Sequence, residues 1–198
     1  TLSTALQASF FTAEFQLLAA DGESLDFFGR DVAISGDTAA ILAESDDDNG
    51  QSAGAVYIFE RTDFGWEQTA KLFASDASNF ALLGHSLELQ GDTLVVGAPH
   101  ADGVGFRSGA VYVFRHDQRG WYEHSKIFAA DGDQNGNFGW DVDLRDDAFL
   151  AVDTRVDSAT AIDVGAAYVF RETGNGWIEE AKLAIPDAEY QDTIIQGR

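Results

Sequence analysis

The residues in this chain best suited to chemistry are its carboxylates. Asp131-Gly132-Asp133-Gln134-Asn135-Gly136 alternates oxygen-bearing side chains at Asp131, Asp133 and Asn135, then supplies a glycine for a sharp turn. Oxygen donors at that spacing converge on one hard cation, which makes the segment a candidate calcium loop. It departs from the full motif at the twelfth position, where Val142 stands in place of a bidentate glutamate. The alternative is an ordinary polar turn between strands. Asp46 and Asp48, within Asp46-Asp47-Asp48-Asn49-Gly50, carry similar oxygens at poorer spacing and form the other calcium candidate. A solvated loop is the competing reading there.

Other chemistry has little to work with. There is no cysteine, so thiolate nucleophiles, thiolate metal sites and disulfides are excluded. His85, His100, His116 and His124 stand at unrelated places. His116 and His124 alone are spaced to face each other across a hairpin, and no third metal ligand accompanies them. No Gly-x-Ser-x-Gly elbow, phosphate-cradling loop or His-Glu-x-x-His run occurs. With 34 acidic residues, adjacent carboxylates carry little information about acid–base catalysis. No catalytic residue and no cofactor beyond calcium is therefore named, and the expectation is a non-enzymatic chain.

Charge narrows the partners. Twelve basic residues against those acids leave a net charge of −22, which repels nucleic acid and anionic membrane surfaces and favours cations or basic partners. No apolar run reaches the roughly 18 residues of a membrane span. At 198 residues and 45% hydrophobic, the chain can bury a sizeable core. It has no methionine, even at position 1, so its native start is expected to lie elsewhere.

The elements that must position these groups repeat. Gly54-Ala55-Val56-Tyr57-Ile58-Phe59 returns as Gly109-Ala110-Val111-Tyr112-Val113-Phe114 and as Gly165-Ala166-Ala167-Tyr168-Val169-Phe170, at steps of 55 and 56 residues. Gly65-Trp66, Gly120-Trp121 and Gly176-Trp177 keep the same steps, and Phe28-Gly29, Leu83-Gly84 and Phe138-Gly139 step by 55. All three lysines, Lys71, Lys126 and Lys182, fall at one place in the period, five residues after its tryptophan. Within a period, Asp31-Val32-Ala33-Ile34-Ser35 alternates, Gly36-Asp37 turns, and Thr38 to Ala43 returns as a continuously apolar strand. A polar loop from Glu44 to Ala53 leads to the Gly54–Glu60 strand, and a turn ending in Gly65 hands over to the Trp66–Phe73 strand.

Four antiparallel strands every 55 residues predict an all-β propeller of four-stranded blades. A sandwich is the runner-up. It would not require tryptophan, tyrosine and lysine to return at one place, so Tyr57, Phe59, Trp66 and their counterparts are assigned to the core between blades. The blades are expected at about 28–73, 83–128 and 138–184 of a single region covering 1–198. Phe15 to Gly22 parallels Ser125 to Gly132, so residues 10–20 are read as the outer strand of a preceding blade. Residues 190–197 are read as the inner strand of a following one. The result is a partial propeller, or one completed by oligomerisation, with the edges of the stray strands covered by other copies.

These markers resemble the FG-GAP repeat of integrin alpha-subunit propellers, in the variety seen in bacterial secreted and surface proteins. The second half of that name is intact only in Gly97-Ala98-Pro99; its counterparts read Leu42-Ala43-Glu44 and Val152-Asp153-Thr154. The integrin-type calcium loop lies in the hairpin between the first two strands, here a tight Gly-Asp turn, so the family's metal site does not carry over residue by residue. The resemblance implies a protein-binding or assembly module outside the cytoplasm, secreted, periplasmic or at a cell surface. The loops Glu44–Ala53, Pro99–Ser108 and Thr154–Val164 vary most and should gather on one rim, where another protein or another copy would be met. Two alternatives stand beside it: a calcium-assisted carbohydrate-binding propeller, and the propeller part of a hydrolase.

Overall fold

The computed structural model of the chain describes residues 16–132, 134–146, 149–156 and 164–184. They form twelve strands in three antiparallel sheets of four, each ordered as the chain runs. The first sheet comprises β1 (Phe28–Ser35), β2 (Thr38–Ala43), β3 (Ala55–Thr62) and β4 (Gly65–Leu72). The second comprises β5 (Leu87–Gln90), β6 (Thr93–Ala98), β7 (Ala110–Asp117) and β8 (Gly120–Ile127). The third comprises β9 (Val142–Arg145), β10 (Phe149–Val156), β11 (Val164–Thr173) and β12 (Gly176–Ala184).

Local sequence accounts for each sheet. In β2 and β6 nearly every residue is buried, because a central strand is covered on both faces and reads as a continuous apolar run. The hairpins Ser35–Thr38 and Gln90–Thr93 turn on two residues, with Gly36 and Gly91 at φ of 59° and 54°, a conformation that costs glycine nothing. The third hairpin is one residue longer, since β9 ends at Arg145 and β10 begins at Phe149. That residue corrects one equivalence read from the sequence. Gly97 pairs with Val111 and Asp153 pairs with Ala167, so Asp153-Thr154-Arg155 is the counterpart of Gly97-Ala98-Pro99, not the triplet one residue earlier.

The sheets stand in series instead of forming two facing layers, with β1, β5 and β9 side by side. The rear face of the first sheet (Ala40, Leu42, Val56, Ile58, Leu72) and the front face of the second (Leu87, Leu89, Leu94, Val96, Tyr112, Phe114) form one buried cluster. Val95, Val111, Val113 and Ile127 meet Val142, Leu144, Leu150, Val152, Tyr168 and Phe170 in the same way at the next joint. Each buried Leu, Val or Phe in these joints contributes about 1.5–3 kcal/mol, so the core lies between sheets and not within one. Ahead of the first sheet, Leu17 and Ala19 pack on Ala39, Ile41, Tyr57 and Phe59, as Leu72 with Ala74, and Ile127 with Ala129, pack at the two joints. Residues 16–19 carry no strand pairing; residues 10–15 and 190–197, read as parts of stray strands, lie outside the described residues.

The recurring tyrosines and phenylalanines are buried, as expected from their period. Trp66, Trp121 and Trp177 differ: each packs against a joint cluster but stays partly exposed, since the fourth strand is the outer edge of its sheet.

Candidate functional site

Each joint closes on one carboxylate. Tyr112 Oη donates to Asp76 Oδ1 at 2.7 Å while Lys126 Nζ donates to Asp76 Oδ2 at 2.7 Å. Tyr168 and Lys182 hold the two oxygens of Asp131 at 2.8 and 2.7 Å. Tyr57 Oη and Lys71 Nζ lie 2.9 and 3.0 Å from the two oxygens of Asp21. Asp76 and Asp131 trail the outer strand of one sheet, Asp21 follows the unpaired residues 16–19, and in every case the tyrosine and lysine belong to the third and fourth strands of the next sheet. The ammonium also sits over the tyrosine ring, 4.8, 5.2 and 4.9 Å from its centroid in chain order.

Electrostatics follow from this geometry. Burial works to raise the pKa of Asp76, but hydrogen bonds from Lys126 and Tyr112 outweigh it and hold the group below the ordinary carboxylate value. Asp21 is lowered in the same way, and Asp131 is lowered chiefly by Lys182. The phenols move in the opposite direction: burial, and then the carboxylate, push Tyr168 up to about 12 and Tyr112 higher still. These are charge-assisted bonds at the open edge of an apolar joint.

Two backbone contacts complete a joint. A Cβ on Gly54 would lie 2.0 Å from Leu83 O, and one on Gly109 would lie 2.1 Å from Phe138 O. Gly97 likewise approaches Gly139 O, whereas at the first joint Leu42 lies over Gly84. The Phe-Gly of one repeat thus meets the Gly-Ala-Pro position of the repeat before it. The FG-GAP repeat matches residues 11–59, 66–114 and 121–170.

This chain belongs to the FG-GAP repeat family. No curated protein matches it. The second and third matched segments start in the outer strand of one sheet and end in the third strand of the next, so there the FG-GAP sequence unit spans a joint and not a sheet.

The candidate calcium residues are now placed. Both oxygens of Asp131 accept bonds from Tyr168 and Lys182. Asn135 donates its backbone N–H to Phe106 O and accepts from Asn137 at its own carbonyl, and Asp133 lies outside the described residues. Asp46 is buried against Tyr57 Oη, and Lys71 Nζ lies 2.8 Å from Asp46 and 2.5 Å from Asp48. An ammonium gathers these two carboxylates with Asp21. In the first two repeats, the hairpin that holds the integrin-type ion offers two-residue turns with one carboxylate each, Asp37 and Asp92, which do not fit a cation. Among the described residues no group of three or more histidine, aspartate or glutamate side chains is arranged to hold a metal.

His116 and His124 do not face each other. His116 is opposite Trp121 in the ladder, its ring 5.1 Å away, whereas His124 points toward Glu172. His124 is the extra residue of the bulge between Val113 and Phe114 and has no ladder partner. The indole nitrogens of Trp121 and Trp177 are buried without a protein partner, so the polar edge that would meet a sugar is turned inward.

Sequence reasoning missed the latch carboxylates as a set and a chain of contacts near the inner strands. Asp21, Asp76 and Asp131 recur at 55 residues, and the latter two stand five residues after a lysine; this signal was legible beside the buried tyrosines, which need a partner. Arg30, His85 and Trp140 each follow the glycine that opens a repeat. Arg30 and His85 hold the two oxygens of Glu44 at 3.1 and 2.6 Å, and the His85 ring lies 4.3 Å from that of Trp140. His85, opposed by burial and helped by Arg30, holds the Glu44 carboxyl below its ordinary value.

The first two loops between second and third strands are each tied to the segment that leads into the following repeat. Phe80, Leu82 and Leu83 donate backbone N–H groups to Gln51, Ser52 and Ala53, and Asn135 and Phe138 donate to Phe106 and Ser108. Residues 157–163 of the third such loop lie outside the described residues. No helix among the described residues is long and apolar enough to cross a membrane.

Proposed function

We propose that the chain is a non-enzymatic protein-binding or assembly module that works outside the cytoplasm and presents the loops of one rim to another protein. The observation that carries this reading is the contrast between frame and rim. The latch, the close glycine contact and the backbone bonds from loop to following repeat recur, while the loop residues they anchor differ. A rigid frame holding dissimilar loops spends no ordering entropy when those loops are met by a partner.

The sheets are, on this reading, blades of a propeller continued past both described ends. Val32 and Ile34 are 61% and 64% exposed, whereas their counterparts Leu87 and Leu89 are 5% and 4% exposed beneath a preceding sheet. Leu183 is 54% exposed where Leu72 is 8%. Further blades, from the same polypeptide or another copy, are the natural cover for faces whose equivalents are buried twice within the molecule.

The test is photo-crosslinking in the native secreted or surface fraction, from Phe106 on the rim and from Phe64 in the β3–β4 hairpin at the other end of the strands. Adducts from Phe106 and none from Phe64 are expected. Equal labelling from both positions, or labelling from Phe64 alone, would remove the rim from consideration.

A further inference from the structure

One rim loop carries an unbalanced charge. Among the described side chains, each of the other lysines and arginines lies within 4.0 Å of a carboxylate, as a chain of this acidity makes easy. Arg107 has none. Its guanidinium lies over the ring of the adjacent Phe106, 5.5 Å from the centroid, and its backbone is held at φ 50°, in the left-handed region that costs a non-glycine residue about 1 kcal/mol.

The loop that makes this arrangement is tied down throughout. Asp102 Oδ1 accepts the Arg107 N–H at 2.8 Å, and Ser108 Oγ accepts from Gly103 and Gly105 at 3.1 and 3.2 Å. Lys126 Nζ donates to Asp102 O at 2.7 Å, and Gly109 N donates to Ala101 O. The loop is therefore preorganised, and it holds outward two apolar side chains, Val104 at 48% and Phe106 at 58% exposed, beside Asp102, whose Oδ1 is already engaged by the Arg107 N–H. His100, at the base of the loop, is held below the ordinary imidazole value by burial and by the Arg107 charge, so it stays neutral near pH 7. The equivalent loop of the first repeat is the opposite case, its carboxylates Asp46 and Asp48 gathered on Lys71.

We propose that the Pro99–Ser108 loop is a contact hot spot for a protein segment that brings a carboxylate flanked by an apolar side chain, the carboxylate pairing with Arg107 and the apolar group seating on Phe106 and Val104. Rigid aromatics beside an arginine are the residues on which contact energy concentrates. A single carboxylate in an apolar setting also suits this chain better than a polyanion, which a net charge of −22 repels. The proposal rests on the reading that the rim meets another protein, and it names the chemistry of that partner.

The experiment pans a displayed library of short random peptides on the intact chain. Recovered peptides should be enriched in aspartate or glutamate next to an aromatic or aliphatic residue. Their affinity should fall about tenfold or more in Arg107→Gly and in Phe106→Ser, weaken with salt, and be unchanged in Arg61→Ala. Arg107→Gly suits the left-handed backbone, so the variant keeps its fold, which a thermal melt checks; Arg107→Lys should recover part of the binding. Peptides that bind equally to Arg107→Gly but are lost on Asp47→Lys would overturn this inference and leave the rim reading intact. Peptides that ignore every rim substitution would overturn both. Arg107-dependent binding of uronate or sulfate disaccharides, with no peptide recovered, would replace the protein partner with a glycan.

Discussion

The joint between the first and second sheets and the joint between the second and third share one latch but solve their packing differently. At the first, Leu42 is fully buried and lies over Gly84; at the second, Gly97 lets the backbone come down on Gly139. One joint is filled by a side chain, the other by close approach of main chain to main chain. In both, glycine on the following repeat makes the contact, so the Phe-Gly half of the repeat is required more strictly than the Gly-Ala-Pro half. That is why the second half survives in only one of three repeats without loss of the sheet order.

The strongest way to break the comparison is at the contact both joints need. Gly109→Ala places a methyl 2.1 Å from Phe138 O at a φ of 86°, and Gly54→Ala repeats the clash at the first joint. Each is expected to cost about 3 kcal/mol or more, read as a collapse of the urea midpoint. Leu42→Ala should separate the joints: it leaves a cavity at the first alone and should cost about 2–5 kcal/mol. A loss below about 1 kcal/mol would show that the Leu42 side chain is not what fills the first joint.

Acid should loosen both joints together. Asp21, Asp76 and Asp131 are held below the ordinary carboxylate value in the folded chain. Their contribution is complete above the unfolded value and is lost as pH falls through the lowered folded values, so stability should drop below about pH 4. Asp76→Asn should flatten that limb in urea titrations at successive pH, and an unchanged limb would move the acid sensitivity elsewhere. Removing one latch hydroxyl is milder. Tyr112→Phe leaves Asp76 with Lys126 and should cost about 1 kcal/mol, a shift of about 2–4 °C in a melt. Smallest of all, Phe106→Ser on the rim should leave stability within about 0.5 kcal/mol, because the frame and not the loop tip carries the fold.

Much of the frame was legible before any coordinates. Strand alternation in Asp31–Ser35, the turn at Gly36-Asp37 and the continuous run in β2 are written over neighbouring residues, where propensity and burial act directly. The third hairpin was misaligned by one residue because the repeat spacing shows only that one extra residue falls between Gly139 and Gly165; pairing register alone places it in the hairpin. The tryptophans were placed too deep for a related reason, since a period shows that a residue recurs but not how far a fourth strand lies from the joint.

What the chain sequence determined, then, is the repeated sheet and the fact that something must be satisfied at each tyrosine and lysine. Tertiary structure decided with what. Asp131 reads as the first oxygen of a calcium loop along the chain, yet Tyr168 and Lys182, more than thirty residues away, take both of its oxygens. Arg107 is one arginine among nine in the sequence and becomes distinctive only because every other lysine or arginine whose side chain is described has found a carboxylate. Apolar periodicity is local and survives in one dimension. Charge pairing depends on which repeats are brought within 4 Å of each other, and only the folded chain sets those distances.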